Sequence, residues 1–445
     1  MKKLTLYAFI CISILVLIIG GGLWWLSHTY LETGKPAIRL NQNFQAIGQS
    51  KVFSITCSDD NSGLRSIHIM LIQDNKSHPL AAVTYPQRGI KNKSLTVTVV
   101  PAALKLREGP AKLRISAVDY SIMKNEGLFE QSLNIDLRPP QIFLMNPVNN
   151  INPGGACVVV YKISKPVLMT GVQVGETFFP ASQSLIAGKP AFIDYFAIPV
   201  NAEKGKNSVK IVAKDAAGNE SLIPVPFILK KKKFRSDKMS LGDSFLQQKM
   251  PEFESTYPSL KGKSPLEIFR YVNEHARSNN EKFIKSVCSN VTGKQLWQDA
   301  FLRMKKASPM ALFGDRRTYI YQGNVIGESV HLGVDLASTN HAPIEAANHG
   351  VVVFTGMLGI YGNTIIIDHG LGLFSLYGHL SSINVKKEQS VKKGEAIAVS
   401  GTSGLAAGDH LHFSIIVAGQ FVNPQEWWDS HWISDNVYKK LEMAQ

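Results

Sequence analysis

Two short motifs near the C-terminus carry the side chains best suited to chemistry, His331-x-x-x-Asp335 and His410-x-His412. On an extended strand, residues i and i+4 share a face but lie about 13 Å apart, so only a bend would bring His331 and Asp335 to one ion. Gly333 between them is suited to such a bend. Residues i and i+2 share a face, so the His410 and His412 rings point into one site. Two His and one Asp with an open fourth position form a catalytic zinc set, and imidazole suits zinc better than magnesium or calcium.

Histidine is concentrated around these motifs, because eight of the 12 His lie between His331 and His431. The surrounding sequence predicts short strands at 350–354, 364–368, 373–377, 396–400 and 411–417. Either motif alone is a weak signal, since alternating His on a strand is often polar surface. The two motifs in order, on glycine-rich strands with a further His between them, are a strong signal for a metal site.

This end of the chain resembles a known family. Residues from about 310 to 425 look like the lysostaphin-type (LytM-like) zinc endopeptidases, which cut peptide cross-links in peptidoglycan. The matching stretches are 331–335, 343–346, 361–364, 376–379, 391–394, 401–404, 410–413 and 423–424. The resemblance implies a compact antiparallel β fold with a groove over a zinc ion.

The resemblance also implies a role for each polar side chain of the site. It assigns His331, Asp335 and His412 as zinc ligands, and His379 and His410 as the pair that handles protons around the zinc-bound water. Every motif position matches the family pattern. This agreement favours an enzyme, because some relatives have lost ligands and act only as activators of other wall enzymes.

The other polar residues of this region receive simpler interpretations. We expect His341 and His349 to flank a turn in solvent, and His369 to bond backbone at the end of a strand rather than bind a metal. Asp409, which precedes His410, either orients an imidazole or serves as a turn residue.

The N-terminal sequence predicts a membrane segment. Lys2 and Lys3 precede an uncharged run of 23 residues from Leu4 to Leu26. Such a helix would be about 35 Å long, enough to cross a hydrocarbon core of about 30 Å. The flanking Lys residues predict a single-pass anchor with a cytoplasmic N-terminus and the remaining chain outside, in the periplasm or the extracellular space. A cleaved signal peptide is the alternative.

Composition limits the class of protein. A length of 445 residues suggests about three domains. The four Cys are too few for a disulfide scaffold or a multi-Cys zinc domain, and we expect Cys57, Cys157 and Cys288 to be buried thiols. The net charge of +14 favours an anionic partner, and export makes nucleic acid an unsuitable one.

Residues 36–232 predict two β-sandwiches. Short alternating strands are separated by turn signals, and Asp119 and Asp215 begin similar motifs 96 positions apart. This period and pattern resemble bacterial immunoglobulin-like domains. The acidic stretches at 59–61 and 215–219 predict turns stabilised by Asx side chains, with calcium binding as the alternative. The lysine run at 230–233 predicts a solvated linker or, alternatively, a contact with anionic polymer or lipid.

A helical connector is predicted after the second sandwich. Ser264, Pro265 and Glu267 form a capping box with Pro at the first helical position. Thr292 begins a second predicted helix that carries Trp297 and Phe301. We expect residues 239–309 to pack against the C-terminal domain and to cover part of its groove.

The sequence therefore predicts a mainly β chain with a defined domain order. The predicted parts are a cytoplasmic tip and transmembrane anchor (1–27), two immunoglobulin-like sandwiches (36–138 and 139–232), a helical connector (233–309), an antiparallel β peptidase domain (310–430) and a tail (431–445). The leading functional hypothesis is a membrane-anchored zinc endopeptidase acting on peptidoglycan stems, with wall-synthesis or division proteins as further partners. The alternatives are a non-catalytic wall-binding or activator protein that uses the same groove, and an adhesion protein.

Overall fold

The computed structural model describes residues 2–146, 149–186, 188–203, 208–289 and 292–444, with side chains for all of these except 2–8, 28 and 29. The chain is mainly β, as predicted. It divides into two compact units. The first comprises Met1–Pro140, Lys165–Leu168 and Lys214–Ser221, and the second comprises Gln141–Ser164, Met169–Ala213 and Leu222–Gln445.

The first unit begins with the apolar helix α1 (Lys2–Tyr30). Within it, Phe9–Ser27 has a mean hydropathy of 2.4, and none of this stretch is buried against protein. In the described part of the chain, this helix alone is long and apolar enough to cross a membrane.

Two sheets form the body of the first unit. Their strands are β1 (Ala37–Leu40), β2 (Ala46–Ile47), β3 (Lys51–Ser58), β4 (Leu64–Gln73), β5 (Lys76–Thr84), β6 (Asn92–Val99), β7 (Gly109–Asp119) and β8 (Glu126–Ile135). One sheet has the order β1-β3-β6 and the other the order β2-β8-β7-β4-β5. Alternate residues of β3 and β7, including Phe53, Ile55, Leu113 and Ile115, are buried in the core between the sheets. The immunoglobulin-like topology stays a prediction.

Most of the second β segment belongs to the second unit. Its strands are β9 (Ile142–Leu144), β10 (Asn150–Ile151), β11 (Ala156–Ile163), β12 (Met169–Val174), β13 (Thr177–Pro180), β14 (Ser182–Ile186), β15 (Lys189–Ala197), β16 (Val209–Lys214), β17 (Glu220–Pro224) and β18 (Ile228–Leu229). They form sheets of order β14-β15-β11-β9 and β13-β12-β16-β17, with a parallel pair β10-β18. The three cysteines outside α1, Cys57, Cys157 and Cys288, are buried free thiols, as predicted.

The connector contains one strand and a series of helices. These are β19 (Ser236–Ser240), α2 (Asp243–Thr256), a 3-10 turn (Pro258–Leu260), α3 (Pro265–Tyr271), a π-helical turn (Val272–Ala276) and α4 (Arg277–Val287). The predicted capping box at the start of α3 is confirmed, because the Ser264 and Glu267 side chains each bond the backbone of the other residue. Apolar residues such as Phe253 and Phe269 join the core of the second unit.

The predicted helix after Thr292 is wrong. Residues 292–302 are irregular, and their backbone bonds residues of the C-terminal region instead of forming a helix. The amides of Leu296 and Leu302 donate to the carbonyls of His369 and Ala347, both at 2.8 Å. Trp297 and Phe301 are buried there. Tertiary packing and these long-range hydrogen bonds override the local helical pattern.

The C-terminal region is an antiparallel β structure with short terminal helices. Its strands are β20 (Ser308–Ala311), β21 (Arg316–Tyr321), β22 (Asn324–Val330), β23 (Val334–Ala337), β24 (Pro343–Glu345), β25 (Gly350–Met357), β26 (Asn363–Asp368), β27 (Leu373–Leu380), β28 (Ser382–Ile383), β29 (Ser390–Val391), β30 (Ala396–Val399), β31 (Leu411–Val417) and β32 (Gln420–Val422). A 3-10 turn spans Gly359–Tyr361, and the chain continues through α5 (Pro424–Trp428), α6 (Ser430–Ile433), a π-helical turn (Ser434–Tyr438) and α7 (Lys439–Glu442).

The main sheet of this region has the order β20-β23-β31-β27-β26-β25-β29, with β32 paired to β31. Strands β27 and β31 are buried along their whole length, so both of their faces are covered by protein. Strand β27 carries His379, and β31 carries His412. The connector strand β19 lies parallel to β21 at the edge of the separate sheet β19-β21-β22.

Candidate metal centre

His331 lies in the short link between β22 and β23. Its backbone is held on both sides, because its amide donates to Asp315 O and its carbonyl accepts from Gly314 N, both at 2.8 Å. The chain bends at Gly333, as predicted. A Cβ atom at Gly333 would lie 2.6 Å from Cε1 of His412, so only glycine allows this close approach of the ring.

Three predicted ligands converge at the centre of the main sheet. Asp335 on β23 is paired with His412 on β31, and the bend brings His331 to the same point. Oδ1 of Asp335 lies 2.9 Å from Nε2 of His331 and 2.9 Å from Nδ1 of His412, and the two nitrogens are 3.1 Å apart. All three residues are buried.

Hydrogen bonds on the far side of each ring fix its tautomer. Nδ1 of His331 lies 3.0 Å from Leu312 O, which can only accept, so this nitrogen carries the proton. The Ser414 hydroxyl donates to Leu332 O and therefore accepts from Nε2 of His412 at 3.0 Å. In the neutral rings, Nε2 of His331 and Nδ1 of His412 consequently point lone pairs at each other and at a carboxylate oxygen.

This donor set fits a zinc ion. Lone pairs facing one another at 3.1 Å beside a buried carboxylate repel unless a cation lies among them. With metal–nitrogen distances of about 2.0–2.1 Å, neighbouring ligands of a tetrahedral zinc site are roughly 3.3 Å apart, close to the separations found here. Histidines whose other nitrogen bonds a carbonyl or hydroxyl are typical of metal sites.

Arg317 on β21 is a member of the centre that sequence reasoning missed. Its Nη2 donates to Oδ2 of Asp335 at 3.1 Å, which leaves Oδ1 directed at the two histidines. Burial alone would raise the pKa of Asp335, but the neighbouring histidines hold that pKa well below its usual range. Burial lowers the pKa of His412 to about 4. Asp335 and His412 therefore favour the deprotonated carboxylate and the neutral ring that metal binding requires.

His379 and His410 lie beside the three converging residues. Their ring centroids are 4.7 Å apart, and Nε2 of His410 is 3.6 Å from Oδ1 of Asp335. Nδ1 of His379 bonds Ser403 O and Nδ1 of His410 bonds Gly408 O, both at 2.8 Å. Nδ1 is thus occupied in both rings, and Nε2 of His410 faces the Asp335 carboxylate. His379 has a left-handed backbone with φ of 62°, a conformation that is often found at functional sites.

The two rings differ in how readily they take a proton. Burial, with repulsion from His410 and His412, lowers the pKa of His379 well below its ordinary value. Burial would also lower the pKa of His410, but the Asp335 carboxylate outweighs this effect and raises it. The pair therefore offers one neutral imidazole beside one that charges more easily.

Comparison with known proteins identifies this region. Residues 329–424 match the model of Peptidase family M23. This part of the chain is an M23 peptidase domain. Over 95 residues the chain is 40% identical to the DD-carboxypeptidase/endopeptidase Mpg of Neisseria meningitidis serogroup B. The matched residues make up 21% of this chain and 22% of that protein.

Two further relatives match the M23 domain. The peptidoglycan DD-endopeptidase ShyA of Vibrio cholerae serotype O1 is 42% identical over 93 residues, or 21% of this chain and 22% of that protein. The murein hydrolase activator EnvC of Escherichia coli is 34% identical over 107 residues, or 24% of this chain and 26% of that protein. The matched segment thus spans about a quarter or less of these curated relatives.

The five histidine and aspartate residues line a cavity of about 530 Å³ in the M23 domain. The connector contributes to its wall through Met239, Leu241, Phe245, Phe269 and Arg277. The connector thus packs against the C-terminal domain, as predicted, and forms part of the cavity wall. That it covers part of the groove stays a prediction.

The connector also supports a loop of the M23 domain. Glu252 on α2 accepts a hydrogen bond from Gly404 N at 2.8 Å, and the preceding Ser403 provides the carbonyl that holds His379. Asn280 on α4 accepts from Ile360 N at 2.9 Å. The connector therefore positions parts of the site as well as bordering it.

The remaining candidates are mostly as expected. His341 is exposed, whereas His349 is half-buried and accepts from Lys393 N at 3.2 Å, so its predicted exposure is wrong. His369 is buried and bonds His349 O and the Ser375 hydroxyl, both at 2.7 Å. The prediction that it bonds backbone is therefore confirmed. Asp409 accepts hydrogen bonds from His341 N and from the Ser400 hydroxyl, so it links distant segments instead of stabilising only its own turn.

Proposed function

We propose that this protein is a membrane-anchored zinc metalloendopeptidase that hydrolyses peptide cross-links of peptidoglycan. The observation that carries the proposal is the convergence of His331 Nε2, Asp335 Oδ1 and His412 Nδ1 within about 3 Å of one another in an M23 domain. The DD-endopeptidase relatives support a wall peptide as the substrate.

His331, Asp335 and His412 would hold the zinc ion. When bound, zinc polarises a scissile carbonyl and lowers the pKa of a water to about 7. Nε2 of either His379 or His410 accepts a proton from the attacking water as its oxygen bonds to the carbonyl carbon. A proton then returns to the amide nitrogen as the carbon–nitrogen bond breaks, which releases an amine and a carboxylate. The hydrogen bonds made by Nδ1 of His379 and Nδ1 of His410 keep both rings in place during these transfers.

The proposal places the M23 domain outside the cell and α1 in the membrane. The length and hydropathy of Phe9–Ser27 and the net charge of +14 support an anchor facing an anionic wall polymer. We also propose that the two β segments are immunoglobulin-like spacers. If α1 is an uncleaved anchor, the protein stays in the membrane fraction at its intact mass. A soluble form that begins near Leu23 would instead indicate a signal peptide.

The direct test is digestion of purified cell walls by the full-length, zinc-loaded protein in detergent. Mass spectrometry of the released fragments identifies the bond that is cut. We expect new amine and carboxylate ends within peptide stems, and none with the Asp335→Ala variant. A zinc-loaded, folded protein that releases no fragments would contradict the proposal.

A non-catalytic activator is the second candidate, because the murein hydrolase activator EnvC is among the proteins similar to this chain. An activator needs the groove but not the metal ligands. Addition of the protein to a mixture of walls and an amidase or other wall hydrolase separates the two functions. Stimulation that is unchanged by Asp335→Ala, with no cleavage by the protein alone, would favour the activator.

A further inference from the structure

The first unit contains three buried carboxylates at one end of its β structure. Glu32 lies two residues after α1, Asp59 directly follows β3, and Asp119 is the last residue of β7. Their relative exposures are 7%, 6% and 0%, and one oxygen from each residue lies within 4.8 Å of the other two. Three segments that are distant in sequence thus bring negative charge to one buried point.

Only one of the two carboxylate oxygens of Glu32 has a hydrogen-bond partner among the described residues. Its Oε1 accepts a hydrogen bond from Ser62 N at 2.9 Å. Its Oε2 is shielded from solvent and has no hydrogen-bond partner among the described residues. A buried carboxylate oxygen without a partner is costly, so the folded chain leaves an acceptor here for something that is not protein.

Asp59 Oδ1 and both oxygens of Asp119 accept hydrogen bonds from neighbouring groups, but the negative charge of the three carboxylates is not matched by an ion pair. None of the ion pairs formed within the described ranges includes Glu32, Asp59 or Asp119. Asp215 provides the contrast, because it begins the motif similar to that of Asp119 but pairs with Lys165 Nζ at 2.6 Å. In the Asp215 motif a lysine neutralises the carboxylate, whereas Asp119 has no such partner among the described residues.

We propose that Glu32, Asp59 and Asp119 form a calcium-binding site. Calcium takes six to eight oxygen ligands in flexible geometry, and three carboxylates with water or nearby carbonyl oxygens meet that requirement. The absence of His and Cys from the three-residue group disfavours zinc. The site is independent of the M23 centre and of the function proposed for it.

The positions of the ligands indicate what calcium would do. Glu32 belongs to the segment that leaves α1, whereas Asp59 and Asp119 belong to strand ends of the first unit's sheets. A bound ion would fasten the segment after the apolar helix to these sheets. Without the ion, mutual repulsion among the carboxylates would loosen the same junction.

The binding test uses full-length, zinc-loaded protein in detergent from which calcium has been removed. Titration with Ca²⁺ in a calorimeter, and with Tb³⁺ as a luminescent calcium probe excited through nearby Tyr120, measures stoichiometry and affinity. We expect one calcium equivalent, an affinity lowered at least tenfold by Glu32→Gln, and no change with Asp335→Ala. Glu126→Gln, which neutralises an exposed carboxylate at the start of β8, is the matched control and should bind normally.

Thermal unfolding keeps the proposal testable if a variant binds poorly for other reasons. For the wild type, calcium at 100 times its dissociation constant should raise the unfolding temperature of the first unit by roughly 5–10 °C. Glu32→Gln should equal or exceed the wild type in calcium-free buffer, because a repulsive charge is gone, and should gain nothing from calcium. Absent calcium binding by the wild type, unchanged binding by Glu32→Gln, or a variant that is less stable than the calcium-free wild type would each overturn the assignment.

Discussion

Asp335 and His412 lie directly opposite each other on the antiparallel strands β23 and β31, with Oδ1 of the carboxylate 2.9 Å from Nδ1 of the ring. Side chains alternate between the faces of a sheet, so a slip of one residue would turn one of these groups away. Both strands are largely buried, so such a slip would also misplace their packed side chains. The register of the main sheet therefore sets the relative position of two of the three proposed metal ligands.

Removal of the proposed charged ligand should abolish both metal binding and activity. Asp335→Ala leaves two neutral donors at the centre, so we expect zinc content to fall far below one equivalent and wall digestion to cease. Elemental analysis and fragment release should be measured on the same preparation. His341→Ala, which changes an exposed ring in the same domain, should retain zinc and most activity. Full zinc content in Asp335→Ala would exclude Asp335 as a ligand.

Loss of a proton carrier should lower turnover without lowering zinc content. His379→Ala leaves all three proposed ligands, so zinc should remain near one equivalent while turnover falls by about 100- to 10,000-fold. His410→Ala should behave similarly. His379→Asn is a useful companion, because Asn tolerates the left-handed backbone at this position but cannot carry the proton. If His379→Ala loses zinc while His331→Ala keeps it, the assigned roles are wrong.

Arg317 should act on zinc affinity through Asp335. Arg317→Met removes the bond to Oδ2, and loss of such a supporting contact typically weakens metal affinity by about 10- to 100-fold. Competition with a chelator measures the affinity, and excess zinc should restore activity. Arg316→Met, which changes the exposed neighbouring residue, should have the affinity of the wild type. An activity loss that zinc does not restore would indicate a different role.

The connector should limit access of large substrates to the cavity. Phe245→Ala removes a side chain from the cavity wall, so we expect several-fold faster release of fragments from intact walls with zinc content unchanged. A short soluble peptide substrate should be cleaved at the wild-type rate. Phe283→Ala on α4, which packs against Phe354 outside the cavity lining, controls for loss of an aromatic ring. Slower digestion of walls by Phe245→Ala would mean that the connector only supports the site.

His369 should make stability sensitive to acid. Burial lowers its pKa from 6.5 to about 4, so the folded state stays neutral while the unfolded state gains a proton below about pH 6.5. Stability is therefore full above that pH and is lost as the pH falls towards 4, by up to about 3 kcal/mol. Urea unfolding at pH 7 and pH 5 should show a smaller loss for His369→Gln than for the wild type. Equal losses would contradict the depressed pKa.

The site could be predicted to the extent that its signals are local. The i, i+2 spacing of His410 and His412 at the start of β31, the bend at Gly333 and the backbone-bonded His369 all follow from rules that operate within a few residues. The capping box at Ser264 was predictable for the same reason. Each of these features depends on sequence neighbours that are also neighbours in space.

The missed features depend on distant partners. Arg317 reaches Asp335 across different strands, and nothing in its own sequence context marks it. The segment after Thr292 has an apolar spacing typical of a helix, but Trp297 and Phe301 are drawn into the core of the second unit. Glu32 belongs to no motif, and its significance arises only when β3 and β7 bring two further carboxylates beside it.

The carboxylate of Glu426 on α5 accepts bonds from Asn152 Nδ2 at 2.9 Å and Ala156 N at 3.0 Å, and Lys440 on α7 donates to Asn149 Oδ1 at 2.8 Å. These contacts join the second β segment to the C-terminal helices that follow the M23 domain, within one compact unit. A shortened protein that begins after the lysine run at 230–233 would expose this surface to solvent. The Glu426 carboxylate would then lose its hydrogen bonds from Asn152 and Ala156. A truncation intended for crystallisation or enzymology should therefore begin near Gln141, so that both ends of the shared surface stay in one polypeptide.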